Sequence, residues 1–100
     1  MTIAEQAVAM LPDVKNYLDV SWVDPEGDKK LSGILQRGMK RINGNVGKES
    51  DYAEEGRARE LLFEYARYAR SNALDEWENA FLSEILFLAH QVQIEAMPND

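Results

Sequence analysis

Apolar residues recur along most of this chain at intervals of three and four, the period of a helix with one face turned inward. From Asp28 to about Gly44, Leu31, Ile34, Leu35, Gly38, Met39 and Ile42 fall on one side, with Lys29, Lys30, Arg37, Lys40 and Arg41 on the other. From about Arg57 to Leu74 a second pattern places Ala58, Leu61, Leu62, Tyr65, Ala66, Tyr68, Ala69 and Ala73 in one broad arc. After a turn at Asp75 a third pattern runs to about Met97, where Pro98 stops it, with Phe81, Leu82, Ile85, Leu88, Ala89 and Val92 as its main face. A shorter helix is expected from Pro12 to about Asp19, with Asp13 at its positive end and Val14, Tyr17 and Leu18 on its apolar face.

Between these segments the punctuation is clear. Residues 2–9 (TIAEQAVA) read as a short helix or a loose arm, and 97–100 as a tail. Ser21 to Gly27 contains Pro and Gly, with Asp24 or Asp28 placed to cap the next helix. Asn43 to Gly56 (NGNVGKESDYAEEG) is too polar and Gly-rich for a buried element and reads as a loop. No segment alternates in the manner of a strand. The expectation is one all-α domain over residues 1–100: a small bundle of three to four helices, the last two of them long.

Two features fall outside an ordinary core. The last helix is apolar over most of its circumference, because Leu86, Phe87, His90 and Ile94 lie away from its main face. Phe63 lies outside the core arc of the preceding helix, flanked by Arg59, Arg67 and Arg70. Both groups are candidate contact surfaces, since surplus apolar area on a small acidic chain points to partners. Phe63→Ser is then expected to leave the monomer's stability nearly unchanged. Glu84 and Glu95, close to Phe87 and Ile94 in sequence, are expected to keep that face soluble.

Charge narrows the functional classes. Eighteen acids against eleven bases give a net charge of −7, which opposes general binding to a phosphate backbone. Every Lys and Arg lies between Lys15 and Arg70, whereas Asp75, Glu76, Glu78, Glu84, Glu95 and Asp100 follow with no base among them. A chain with a basic middle and an acidic end can join unlike surfaces, and Lys29, Lys30, Arg37, Lys40 and Arg41 are the candidate electrostatic contacts. The chain has no cysteine, no run of eighteen apolar residues and no basic-then-apolar leader. Neither a disulfide, a membrane span nor a secretory signal is expected.

Catalytic and cofactor motifs are not found. Gly44 to Ser50 (GNVGKES) approaches a phosphate loop, but Ile42 stands where the first glycine belongs and Glu49 where the hydroxyl belongs. Asp24, Glu26 and Asp28 around Gly27 lack the closing glutamate of a calcium loop, and Pro25 intrudes. His90 is the only histidine, too few for a zinc site and without a partnered nucleophile for a triad. Glu60 and Glu64 share a helix face at the spacing of solvated residues. No enzymatic activity and no cofactor is expected.

The order of these elements carries a resemblance. Leu11, Val14, Lys15, Tyr17 and Leu18 precede an Asp-rich connection, and Asp28, Leu31, Leu35, Gly38 and Ile42 open the second helix. Gly47 marks the loop, and Leu61, Leu62, Tyr65, Tyr68, Asn72, Trp77 and Phe81 complete the pattern over about residues 10–96. This resembles the small head–tail connector, or adaptor, proteins of tailed phages and Gram-positive prophages. Gly38 departs from that pattern, where alanine is expected.

The resemblance implies a structural virion subunit, made in the host cytoplasm and built into the head–tail interface. It implies a ring, dodecameric in the virion, between the portal protein and a tail-side stopper or completion protein. Genome DNA would pass through its channel without specific binding, and the C-terminal region would engage the portal. The competing expectation is a small acidic helical regulator of a host or phage protein; the basic face from Lys29 to Arg41 argues against a DNA mimic.

Overall fold

A computed structural model describes residues 2–21 and 24–97 and is all-helical among them, with five helices: α1 (Ile3–Tyr17), α2 (Pro25–Val46), α3 (Arg57–Arg70), α4 (Leu74–Ala80) and α5 (Leu82–Ala96). The expected stop at Pro98 and the rest of the tail lie outside the described residues, as do Trp22 and Val23 of the α1–α2 connection.

The first helix starts earlier than Pro12. The Thr2 hydroxyl accepts from the Glu5 amide at 3.1 Å, and Glu5 Oε1 accepts from the Thr2 amide at 3.0 Å. This reciprocal cap satisfies two donors that a helix N-terminus otherwise leaves open. Residues 3–9 are therefore helix, not arm, and Ala7, Met10 and Val14 bury one stripe. Pro12 sits inside α1 on its exposed side, where the carbonyl its missing N–H leaves free can bond to water.

α2 is the central strut. Asp24 caps it through an Oδ1 bond to the Glu26 amide at 3.1 Å, with Pro25 in the first turn. It runs past the expected end at Gly44 and closes at Gly47, whose φ of 94° gives the left-handed cap. α1, α3 and α5 all pack on α2, and α4 packs on α3. The expected apolar arc from Leu31 to Ile42 is buried, and Val46 extends it.

Gly38 sets the closest approach. A Cβ there would stand 2.8 Å from Leu62 Cδ1 and 2.8 Å from Tyr65 Cδ1, both on buried side chains of α3. Below this crossing, Trp77 of α4 is wholly buried, donates Nε1–H to the Leu61 carbonyl at 3.2 Å and meets the Tyr65 ring edge-on at 5.2 Å. One long helix after Asp75 does not form. The chain breaks at Phe81, so α4 can follow α3 while α5 follows α2.

The polar α2–α3 loop also contributes to the core. Tyr52 is 1% exposed, and its hydroxyl donates to Asn43 Oδ1 at 2.6 Å, which also accepts from the Ser50 amide. The same burial holds the Tyr52 phenol above its ordinary pKa. The whole is flat and long, with extents of 54 × 29 × 18 Å, and every helix keeps an outer face.

Two glycines of α2 should respond oppositely to alanine. Gly38→Ala gains about 1 kcal/mol of helix propensity but overpacks the α2–α3 crossing, with an expected net loss of about 1–2 kcal/mol. A Cβ at Gly44 meets nothing within 4 Å, so Gly44→Ala should raise stability by about 0.5–1 kcal/mol. Urea unfolding of both variants checks the signs.

Candidate interaction surface

α5 turns only part of its circumference to the body. Ile85 is buried, and Leu88 and Val92 pack half-buried against the core. Leu82, Leu86, His90 and Ile94, four residues apart, form a ridge on the other side, and all four are exposed. Leu86 is 58% exposed and Ile94 52%, values that leave most of each side chain in water. Met97 prolongs the ridge beyond the last turn. The expectation that Leu86, Phe87, His90 and Ile94 lie off the core thus matches the structure; Leu82, expected on the main face, is instead exposed on the ridge, four residues before Leu86, and Met97 was missed.

The acids of α5 do something other than guard that ridge. Glu84 binds Arg57 at 2.6 Å and Glu95 binds Lys48 at 3.2 Å, so both point to the body and fasten α5 at two places. Arg57 also lies over the Phe87 ring at 4.3 Å, giving Phe87 a partner within the chain. One turn of chain earlier, Glu78 of α4 pairs with Arg41, whose guanidinium covers the buried Trp77 ring at 5.4 Å. Arg41 is therefore a structural residue and drops out of the set of free basic contacts. Lys29, Lys30, Arg37 and Lys40 remain, exposed on α2 with no ion pair among the described residues.

Phe63 is a correction. It is 7% exposed and packs on Tyr17 of α1, the ring centroids 5.3 Å apart. The helical wheel of α3 shows its inward arc toward α2 but cannot show α1, which covers a second side. The arginines flanking Phe63 are clasps. Arg59 lies over the ring at 4.7 Å, pairs with Asp13 of α1 at 2.9 Å and donates to the Tyr52 carbonyl at 3.1 Å. Arg67 grips Glu64 with two bonds, of 2.6 and 2.8 Å, and Glu64 also accepts the Tyr17 hydroxyl at 2.8 Å. The bonds from Arg67, and then that from Tyr17, hold the Glu64 carboxyl below its usual range. Burial and the Glu64 carboxylate push the Tyr17 phenol up to about 12. Arg70 lines a separate cleft with Lys30 and Asn72, between the start of α2 and the end of α3. The Phe63 group and the α5 ridge are thus not one surface.

Among the described residues no three His, Asp or Glu side chains gather as a cation site, and no helix is long and apolar enough to cross a membrane. Comparison with family models, with curated proteins and with solved structures finds no match.

Phe63→Ser should destabilise the monomer by about 3 kcal/mol, the scale of an emptied aromatic site, read by denaturant unfolding. A phenolate absorbance titration should place Tyr17 near pH 12, the step vanishing in Tyr17→Phe and moving down in Glu64→Gln. Because its folded pKa is raised, the stability linked to Tyr17 is complete below pH 10 and fades as pH climbs toward 12.

Proposed function

We propose that this chain is a structural, non-enzymatic subunit of a phage head–tail connector, which assembles into a ring between a portal and a tail-side protein. The observation that carries the reading is the unpartnered ridge of α5 on a helix otherwise fixed to the body by packing and two ion pairs. An apolar ridge in water has a cost that a partner's surface removes, about 25 cal/mol for each Å² covered. The resemblance over residues 10–96 supplies the class of partner, and the net charge of −7 suits a channel wall that DNA passes without binding.

Total exposed area gives independent support. The molecule exposes 6594 Å², whereas a folded monomer of its mass is expected to expose roughly 5,800 Å². Surface beyond that norm is what a subunit removed from an assembly would present.

Purified chain mixed with portal rings should co-sediment with them and appear in electron micrographs as an added ring. Leu86→Ser with Ile94→Ser should give a helical monomer that no longer co-sediments. A chain that ignores portal rings and stays monomeric or dimeric would favour the small acidic regulator instead. If the α2 cations take part, association should also weaken from low to high salt.

A further inference from the structure

We infer that the α5 ridge of one subunit seats in the groove between α1 and α2 of a second copy of this chain, as a head-to-tail contact. The inference rests on the reading of the chain as a self-assembling subunit and names the surfaces that meet.

The groove is lined by Val8, Leu11, Ser32 and Gly33, with both Asp28 and Lys29 beside them. Val8 is 59% exposed, an apolar side chain on α1 that no neighbour in the chain covers. Gly33 strengthens the case. A mid-helix glycine costs roughly 0.5–1 kcal/mol relative to alanine, and at Gly38 the α2–α3 crossing explains that cost. At Gly33 no such crossing exists: the nearest atom to an added Cβ is the mobile Arg37 Nη1, at 3.3 Å. A glycine without an internal reason beside an open apolar groove allows a helix from outside to approach the α2 backbone.

The occupant follows from charge and area. α2 carries Lys29 at this groove, and Lys30, Arg37 and Lys40 exposed elsewhere along the helix, all four without ion pairs among the described residues. The α4–α5 segment, Leu74–Ala96, contains no Lys or Arg, and Asp75 and Glu76 stand exposed a few residues before the ridge begins. Each surface thus lacks what the other supplies. The surplus of about 800 Å² over an ordinary monomer is of the scale of a protein interface. Ridge and groove are different surfaces, so one contact leaves a groove on one copy and a ridge on the other, and repetition can close a ring.

Two variants test the pairing directly. Gly33→Leu fills the groove and leaves the ridge intact; Leu86→Ser with Ile94→Ser removes the ridge and leaves the groove. Sedimentation at high protein concentration should show wild type self-associating and each variant alone at least about tenfold weaker, as expected for losing more than 1.4 kcal/mol of contact. Mixed in equal amounts, the two variants should form a one-to-one complex and nothing larger, because only one live ridge and one live groove remain per pair. Gly33→Ala, whose added Cβ meets only the end of Arg37 inside the chain, should stay folded and assemble more weakly than wild type but more strongly than Gly33→Leu, a graded loss that separates blocking from misfolding. A mixture that stays monomeric, or either variant assembling normally alone, overturns the pairing. Wild type that never self-associates but still joins portal rings also overturns it while leaving the connector reading standing; failure to join portal rings removes that reading itself.

Discussion

The contact between α2 and α3 at Gly38 is the constraint on which the other packing relations depend. With no side chain at that position, Leu62 and Tyr65 lie against the α2 backbone, closer than any Cβ would allow. That closeness positions the Leu61 carbonyl for Trp77 and the Tyr65 ring for the edge of the indole, and so fixes α4. In this chain the glycine is more than a weak point in a helix, because the geometry of the crossing requires it.

The distribution of ion pairs explains why surface remains for a partner. Lys15, Arg41, Lys48, Arg57, Arg59 and Arg67 each pair with an acid inside the chain, tying one helix or loop to another or, for Arg67, joining neighbours on α3. Exposed pairs of this kind contribute little each, typically below about 1 kcal/mol. They orient helices that hydrophobic packing already holds. The cations with no such duty lie on the outer face of α2, and most of the exposed large apolar side chains lie on α5, with Val8 on α1. This segregation is the opposite of the mixed, patch-poor surface expected of a chain that works alone.

Helix periodicity made the all-α class, the inward arc of α2 and the off-core residues of α5 legible in the sequence, because each depends on one helix and one neighbour. Phe63 was illegible for the complementary reason: α3 has several neighbours, α1 among them, and a single arc describes only one. Tyr52 sits in a segment whose average polarity hides one aromatic with a specific acceptor, Asn43. The start of α1 was readable in principle, since Thr2 and Glu5 have the spacing of a capping box, but Pro12 gave the louder signal. The break at Phe81 has no proline or glycine to announce it and follows from α4 and α5 packing on different helices.

Net charge and local charge act in opposite directions in the proposed assembly. Two copies carrying −7 each repel at long range, which disfavours every approach that does not bring unlike groups together. At contact distance only the facing groups count, and Lys29 then meets a segment free of Lys and Arg. Docking therefore requires orientation, and like faces do not pair with profit. It has a second consequence for DNA. Lys29, Lys30, Arg37 and Lys40 are the groups most able to hold a phosphate backbone, and a head-to-tail contact would occupy Lys29, at the groove, and crowd the others on the same helix with protein. A ring built this way would hide its free cations in its own seams and leave an acidic wall. The feature that joins the subunits would thereby also keep DNA from adhering to the channel.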